Sequence, residues 1–455
     1  MKPRVEPVHL AAFVAFGLLI AGLSAPAQGQ LRLYAEPGQL PRMSARTQAA
    51  VVESVTTAID TVYVIQDRAD RIVALLRGNQ AAGAYAAITD PAALAARLDA
   101  DARTIYDDKH FGIRAMFPRD PKAAAKVEDP LATERALRSL RERNYGFEKV
   151  EILPGNVGYL ELTQFVDTQY AGAAAAAAMN FLADSYALIL DLRGNGGGSA
   201  TMIRLLAGYL FDEQVHLINW YERDKEQTVQ SYSLDFVPGR KLSQTPLYVL
   251  TSGATASAAE EFAFDMQHLK RATLVGDTTA GAGHTVHTAF FDFDGFRIGM
   301  RIPYGRAFDP KTGLGWEGAG VIPEIAVPSE QALAVAHADA LRELLAEEKD
   351  EEARFGLNWA MQALEAEIRP IRLSPEALSA YTGTFGPRRF FLEGDDLIYQ
   401  RENRPKMRLI PLGPDLFRVA DLDYFRVRFE RDAAGGVQRA VGLYDDGREE
   451  PNDRS

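Results

Sequence analysis

The sequence predicts an α/β core flanked by a helical N-terminal domain and a small all-β C-terminal domain. Three observations carry this. Between residues 150 and 328, short uninterrupted apolar runs alternate with helical segments, and buried parallel strands read as such runs, so the alternation predicts crossover units. Upstream, from Ser44 to Thr104, apolar residues recur at three- and four-residue spacing, the period of amphipathic helices. Downstream of Leu373, short alternating strands are separated by Gly and Asp turns, the pattern of a small β-barrel or sandwich.

Taken in order, Lys2 and Arg4 precede an apolar run from Leu10 to Leu23 and then Ala25-Pro26-Ala27. This predicts a signal peptide over 1–27, and hence export to the periplasm or the medium. The run falls short of the roughly 20 residues that span a bilayer, so no stable membrane insertion is expected. Residues 28–117 read as the helical domain, with Gly78 and Pro91 as breaks. The charged, proline-containing stretch 118–144 reads as a linker or surface helix. The α/β domain covers 145–330, with strands expected at VGYLEL, YALILDLRG, PLYVLTS and ATLVGD. Helices are expected after Tyr170, from Met202 to Phe211 and from Ala258 to Leu269. FFDFDGFRIGMRI predicts two strands around Asp294-Gly295, a dipeptide that favours a type I′ hairpin turn. A helical connector over 331–372 and the β-rich domain over 373–455 complete the chain.

Composition removes several function classes. A net charge of -12 with no basic stripe argues against a nucleic-acid partner, because phosphate binding draws on clustered Lys and Arg. Zero cysteines exclude thiolate chemistry and disulfide-dependent folding. The seven histidines show no paired ligand spacing such as HExxH, so neither metal nor cofactor is expected.

Three segments point to one site. In DLRGNGGGS (Asp191 to Ser199) a glycine run between a strand and a helix can turn sharply and present backbone N–H groups to an anion. A phosphate is disfavoured because no Walker-type Lys follows. In TSGATASAAEEFA (Thr251 to Ala263) small residues surround Ser257 where a helix begins. A serine on such a turn is a candidate nucleophile, and the alternative is that Ser257 or Thr255 is a helix cap. Glu260 and Glu261 read as favourable charges in that helix's first turn. The third segment is GLGWEGAGVIPEI (Gly313 to Ile325), where Trp316 reads as core packing.

Together with LKRATLVGDTTAGAGH, and in this order and spacing, these motifs resemble the tail-specific (C-terminal processing) serine protease superfamily, in its tricorn-like and interphotoreceptor retinoid-binding-protein-like branch. The resemblance implies a crotonase-like (ClpP-like) spiral α/β catalytic core and a serine peptidase activity, which with the leader makes an exported peptidase that takes peptides or protein tails. It makes Ser257 the nucleophile. Where the processing branch carries a lysine base this chain has Ala280-Gly281-Ala282-Gly283, and only Lys270 is near in sequence. The tricorn-like branch implies an upstream histidine base, which Asp108-Lys109-His110 supplies as His110. Glu317, in Trp316-Glu317-Gly318-Ala319-Gly320-Val321, is implied as a supporting acid. Ala258 and Gly197 or Gly198 are the implied oxyanion donors. His284 and His287, which lie in the catalytic domain itself, are rivals to His110 as base, with a positioning or substrate-contact role implied for His284. Two other functions remain open on this fold: a non-catalytic binding protein for a lipophilic ligand, and an esterase-type acyl hydrolase. The C-terminal β domain resembles modules that follow exported hydrolases, and its role in substrate capture, as a lid or in self-association is open.

Overall fold

Three amphipathic helices begin the part of the chain that the computed structural model describes, residues 42–117 and 130–455. The leader expected at 1–27 lies outside the described residues. In α1 (Ala45–Val62) Ser44 caps the first turn by accepting from Thr47 N, and in α3 (Pro91–Arg103) Asp90 does so for Ala92 N. Between them, α2 (Gln66–Ala81) completes a bundle whose apolar stripes, Val51, Val55, Ile59, Ile72, Leu76, Leu94 and Leu98, are buried. Each such side chain contributes about 1.5 to 3 kcal/mol on burial. The chain then enters strand β1 (Gly112–Met116). Within the stretch expected as a linker or surface helix, Pro130–Glu142 forms helix α4.

The α/β region follows the predicted alternation. β2 (Phe147–Leu153), β3 (Val157–Leu162), α5 (Thr168–Phe181), β4 (Ala187–Asp191) and α6 (Ala200–Leu210) come first. β5 (His216–Glu222), β6 (Gln227–Tyr232), β7 (Leu247–Thr251), α7 (Ala258–His268) and β8 (Thr273–Gly276) follow. β9 (His284–Phe293), β10 (Phe296–Phe308) and β11 (Ile325–Ala326) close the region. One sheet has the order β11-β8-β7-β4-β3-β2, parallel except for the antiparallel edge strand β2. Every residue of β4 and β7 is buried, as strands covered on both faces require. Residues of α5, α6 and α7 share a core with one face, while α8 (Ala332–Glu347) and α9 (Glu351–Ile368) cover the other.

A second sheet was not legible beforehand. It runs β1-β10-β5-β6, with β9 also paired to β10, and β6 has no buried residue to betray it. The hairpin expected around Asp294-Gly295 forms as β9 and β10, but only Gly295 has a positive φ (81°). The turn is therefore not the expected type I′, which needs positive φ at both central residues. β1 pairs with β10 (Gly112 opposite Arg301), and Phe296, Ile298, Met300 and Ile302 fill the core of the helical bundle. The helical and α/β regions are thus joined by a shared sheet and a shared core.

After α10 (Pro375–Ser379), eight strands from β12 (Gly383–Phe385) to β19 (Glu449–Asp453) pair in sequence order. Phe385 bridges Arg454, and Ser455 N donates to Thr384 O at 2.9 Å, so the two edges of this sheet meet. Among the described residues no helix is long and apolar enough to cross a membrane.

Candidate active site

The site lies at the carboxyl ends of β4 and β7, where parallel sheets commonly bind ligands. After β4 the glycine loop is stapled down by Asn195, whose side chain donates to Leu162 O (2.7 Å) and accepts from Gly197 N (2.9 Å). Asn195 O in turn accepts from Ala256 N (3.0 Å), which fixes this loop against the segment before α7. Phe165 forms a parallel bridge across Gly198, through Gly197 O and Ser199 N, so the N–H of Gly198 faces the other way. Only glycine fits there: φ is 144°, and a Cβ would lie 2.1 Å from Phe165 O. Gly197 sits against the serine turn, where a Cβ would come within 2.9 Å of Ala258 N. The N–H of Gly197 is committed to Asn195 Oδ1.

Ser257 stands at the N-cap of α7 with φ 56° and ψ -123°, a conformation rarely adopted by residues other than glycine. The helix cap and the candidate nucleophile are therefore the same residue. Thr255 is buried and ties the loop together instead, donating to Leu192 O (2.8 Å) and accepting from Ser252 N (2.9 Å).

Glu260 is wholly buried and is more than a first-turn charge. Its Oε2 accepts from Ser257 N (2.8 Å) and Ala282 N (2.8 Å). Its Oε1 accepts from Gly281 N (2.6 Å) and Thr279 Oγ1 (2.6 Å). Burial pushes its carboxyl up, against the pull of these four donors. One side chain thereby ties the Ser257 turn to the segment that ends, two residues later, at His284.

His284 is buried, and its Nδ1 is 2.7 Å from Asp108 Oδ2. Asp108 is fully buried and also accepts from Tyr63 Oη (2.9 Å) and His110 N (2.9 Å). Burial would raise this carboxyl, yet the hydrogen bond and charge of His284, the amide of His110 and the Tyr63 hydroxyl hold it below the usual range. Asp108 thus engages the Nδ1 side of the His284 ring, and Nε2 is the nitrogen not engaged by it. Glu317 accepts from Gly283 N through Oε2 (2.6 Å), and that oxygen lies 3.7 Å from His284 Nδ1. Burial pushes Glu317 up to about 7, opposed by His284 and reinforced by Asp108.

His110 is brought to the same place by its neighbours, but its ring has no carboxylate partner. Its Nδ1 is buried without a hydrogen bond, and burial pushes the imidazole down to about 4, with Asp108 opposing and Arg301 adding to the shift. The carboxylate-oriented imidazole is therefore that of His284. His287 is apart from this group, stacked on Tyr304 with ring centres 3.6 Å apart and its Nε2 3.5 Å from Asp224. Trp316 is buried against Phe264, as expected of core packing. Lys270 is exposed at the end of α7. The sequence reading missed Asp108, Glu260 and Asn195. Asp108 stood two residues before His110 in a segment already singled out.

A second acidic group lies deeper in α7. Glu261 is pushed up to about 8 by burial, and Asp265 is raised well above its usual range by burial and by Glu261 and Asp309. A raised carboxyl stabilises the fold below its ordinary value near 4.5 and loses that contribution as pH rises through the folded value. The contribution of Glu261 to thermal stability should therefore fall as pH rises from 5 to above 8. Glu261→Gln should flatten that profile by several degrees, as differential scanning calorimetry would register. An unchanged slope would place Glu261 ionised in the fold.

Residues 156–327 match the model of peptidase family S41, and residues 43–145 match the model described as N-terminal domain of Peptidase_S41 in eukaryotic IRBP. The carboxyl-terminal-processing protease of Picosynechococcus sp. is 30% identical over 207 residues, which are 44% of this chain and 47% of that protein. The carboxy-terminal processing protease of Bacillus subtilis is 28% identical over 152 residues, 33% and 31% of the two chains. The chain thus spans about half, or less, of the length of these curated relatives. Among solved structures, the photosystem II D1 C-terminal processing protease is similar with a TM-score of 0.41 and 17% identity, over 62% of this chain and 94% of that one. The tricorn protease is similar with a TM-score of 0.40 and 13% identity, over 70% and 37%.

Proposed function

We propose that this chain, with its family S41 match over 156–327 and its IRBP-type N-terminal match over 43–145, is a serine peptidase that cleaves peptides or protein tails. One observation carries the proposal: Asp108 engages His284 Nδ1 at 2.7 Å, in a segment that Glu260 ties to the amide of Ser257. In this scheme Nε2 of His284 takes the proton from Ser257 Oγ as it attacks the scissile carbonyl, and Asp108 stabilises the imidazolium. The N–H groups of Ala258 and Gly198 hold the oxyanion, each worth about 3 to 4 kcal/mol in other enzymes. Nε2 then passes its proton to the leaving amine, the C–N bond breaks, and water releases the acyl group from Ser257 by the same steps in reverse. Glu317 holds the segment under His284, and His110 is a neutral neighbour of the pair.

We read the six-stranded sheet and its helices as the crotonase-like spiral that the resemblance implies. Export through the leader at 1–27 belongs to the same proposal. Incubation with a fluorophosphonate, digestion and mass spectrometry test the chemistry. The expected adduct is on the peptide containing Ser257, and full exposure to the reagent with Ser257 unmodified rejects it.

A further inference from the structure

Asp108, His284 and Glu317 come from three separate segments, yet one donor atom from each lies within 4.8 Å of the other two, the one such trio among the described residues. Two carboxylates and an imidazole are a donor set for a divalent transition metal, whereas magnesium and calcium prefer oxygen alone. Donors bound to zinc at about 2.0 to 2.1 Å sit about 3.3 Å from each other in a tetrahedron. The separations from His284 Nδ1, 2.7 Å to Asp108 and 3.7 Å to Glu317, lie on either side of that value. Glu317 Oε1 is a buried oxygen with no hydrogen-bond partner, a cost that a bound cation would remove. The other groups that act electrostatically on this trio are Tyr63, Tyr106, His110, Glu260 and Arg301.

We propose that Asp108, His284 and Glu317 form an inhibitory site for zinc or a similar divalent transition-metal ion. The binding claim stands on the trio alone, and the inhibition rests on the reading of His284 as the base. A metal on Nδ1 takes the lone pair of that nitrogen. The proton formerly shared with Asp108 moves to Nε2, the neutral ring keeps one proton, and Nε2 can no longer accept one from Ser257.

The test uses full-length Ser257→Ala protein, which keeps the trio intact, stripped with a chelator and titrated with cobalt chloride and then zinc chloride. Visible d–d absorption should saturate at one cobalt per chain and vanish on addition of zinc. Glu317→Gln and His284→Asn should each weaken binding at least about tenfold, since even outer-shell partners of metal ligands matter to that extent. Absence of stoichiometric uptake, or uptake unchanged in both variants, overturns the site. Should either variant misfold, the cobalt spectrum of the Ser257→Ala protein decides. With the unmodified chain, zinc should suppress peptide hydrolysis with the same midpoint. Zinc uptake that leaves hydrolysis intact overturns the inhibitory role. A chain that hydrolyses no peptide rejects the peptidase reading, while the metal titration still decides the site.

Discussion

Ser257→Ala is expected to lower kcat/KM for peptide hydrolysis by about 10⁵ to 10⁶, the scale seen when a serine hydrolase loses its nucleophile. In the proposed mechanism the change removes the atom that forms the acyl-enzyme, and it leaves the Glu260 clamp on the backbone amide in place. Folding should be little affected, because alanine meets the same backbone demand as serine. At φ 56° and ψ -123° that demand costs on the order of 1 to 3 kcal/mol for any residue with a Cβ. Ser257→Gly should therefore be equally inactive and yet more resistant to urea than the parent. Steady-state kinetics and urea melts on the three proteins check both halves. Retained turnover in either variant would end the nucleophile assignment, whereas inactivity with lost stability in Ser257→Gly would show that the turn is not under strain.

Asp108→Asn is expected to lower kcat by about 10³ to 10⁴ with KM little changed, as when the orienting acid of a serine hydrolase is made an amide. Aspartate accepts from His284 Nδ1 at 2.7 Å, from Tyr63 and from the amide of His110. An asparagine that turns its NH₂ toward Nδ1 favours the tautomer with the proton on Nε2, which cannot take one from serine. Asp107→Asn is the control, since that carboxylate is exposed and paired with Arg103 and Lys109, and its activity should match the parent. His284→Ala should resemble Asp108→Asn, and His110→Ala should fall much less. The opposite ranking would return the base to His110, as the family resemblance alone implies.

Local sequence spoke clearly wherever the information was local. The buried runs of β4 and β7, the glycine loop at Gly197 and Gly198 and the small residues around Ser257 state their own conformations. Residues whose meaning lies in a distant partner stayed silent. Glu260 looks like a first-turn charge because nothing in TSGATASAAEEFA reveals that its oxygens will meet the amides of Gly281 and Ala282. Asp108 was quoted only as a neighbour of His110, since its partner is 176 residues away in His284. The Asp294-Gly295 turn was placed correctly and typed wrongly, because the dipeptide prefers a conformation that the flanking strands did not adopt. β6 went unseen because most of its residues are exposed, and β5 because its two buried residues, Leu217 and Ile218, are adjacent and make no alternating period.

The strand Gly112–Met116 threads the N-terminal bundle into the sheet of β10, and Asp108 precedes it by only a few residues. No autonomous enzyme can consequently be excised by starting the chain near residue 145. Such a fragment would bare Phe296, Ile298, Met300 and Ile302 to water and leave His284 without its carboxylate. For protein engineering, grafting this chemistry onto another scaffold means transplanting both halves together, and recombination between relatives should respect that pairing.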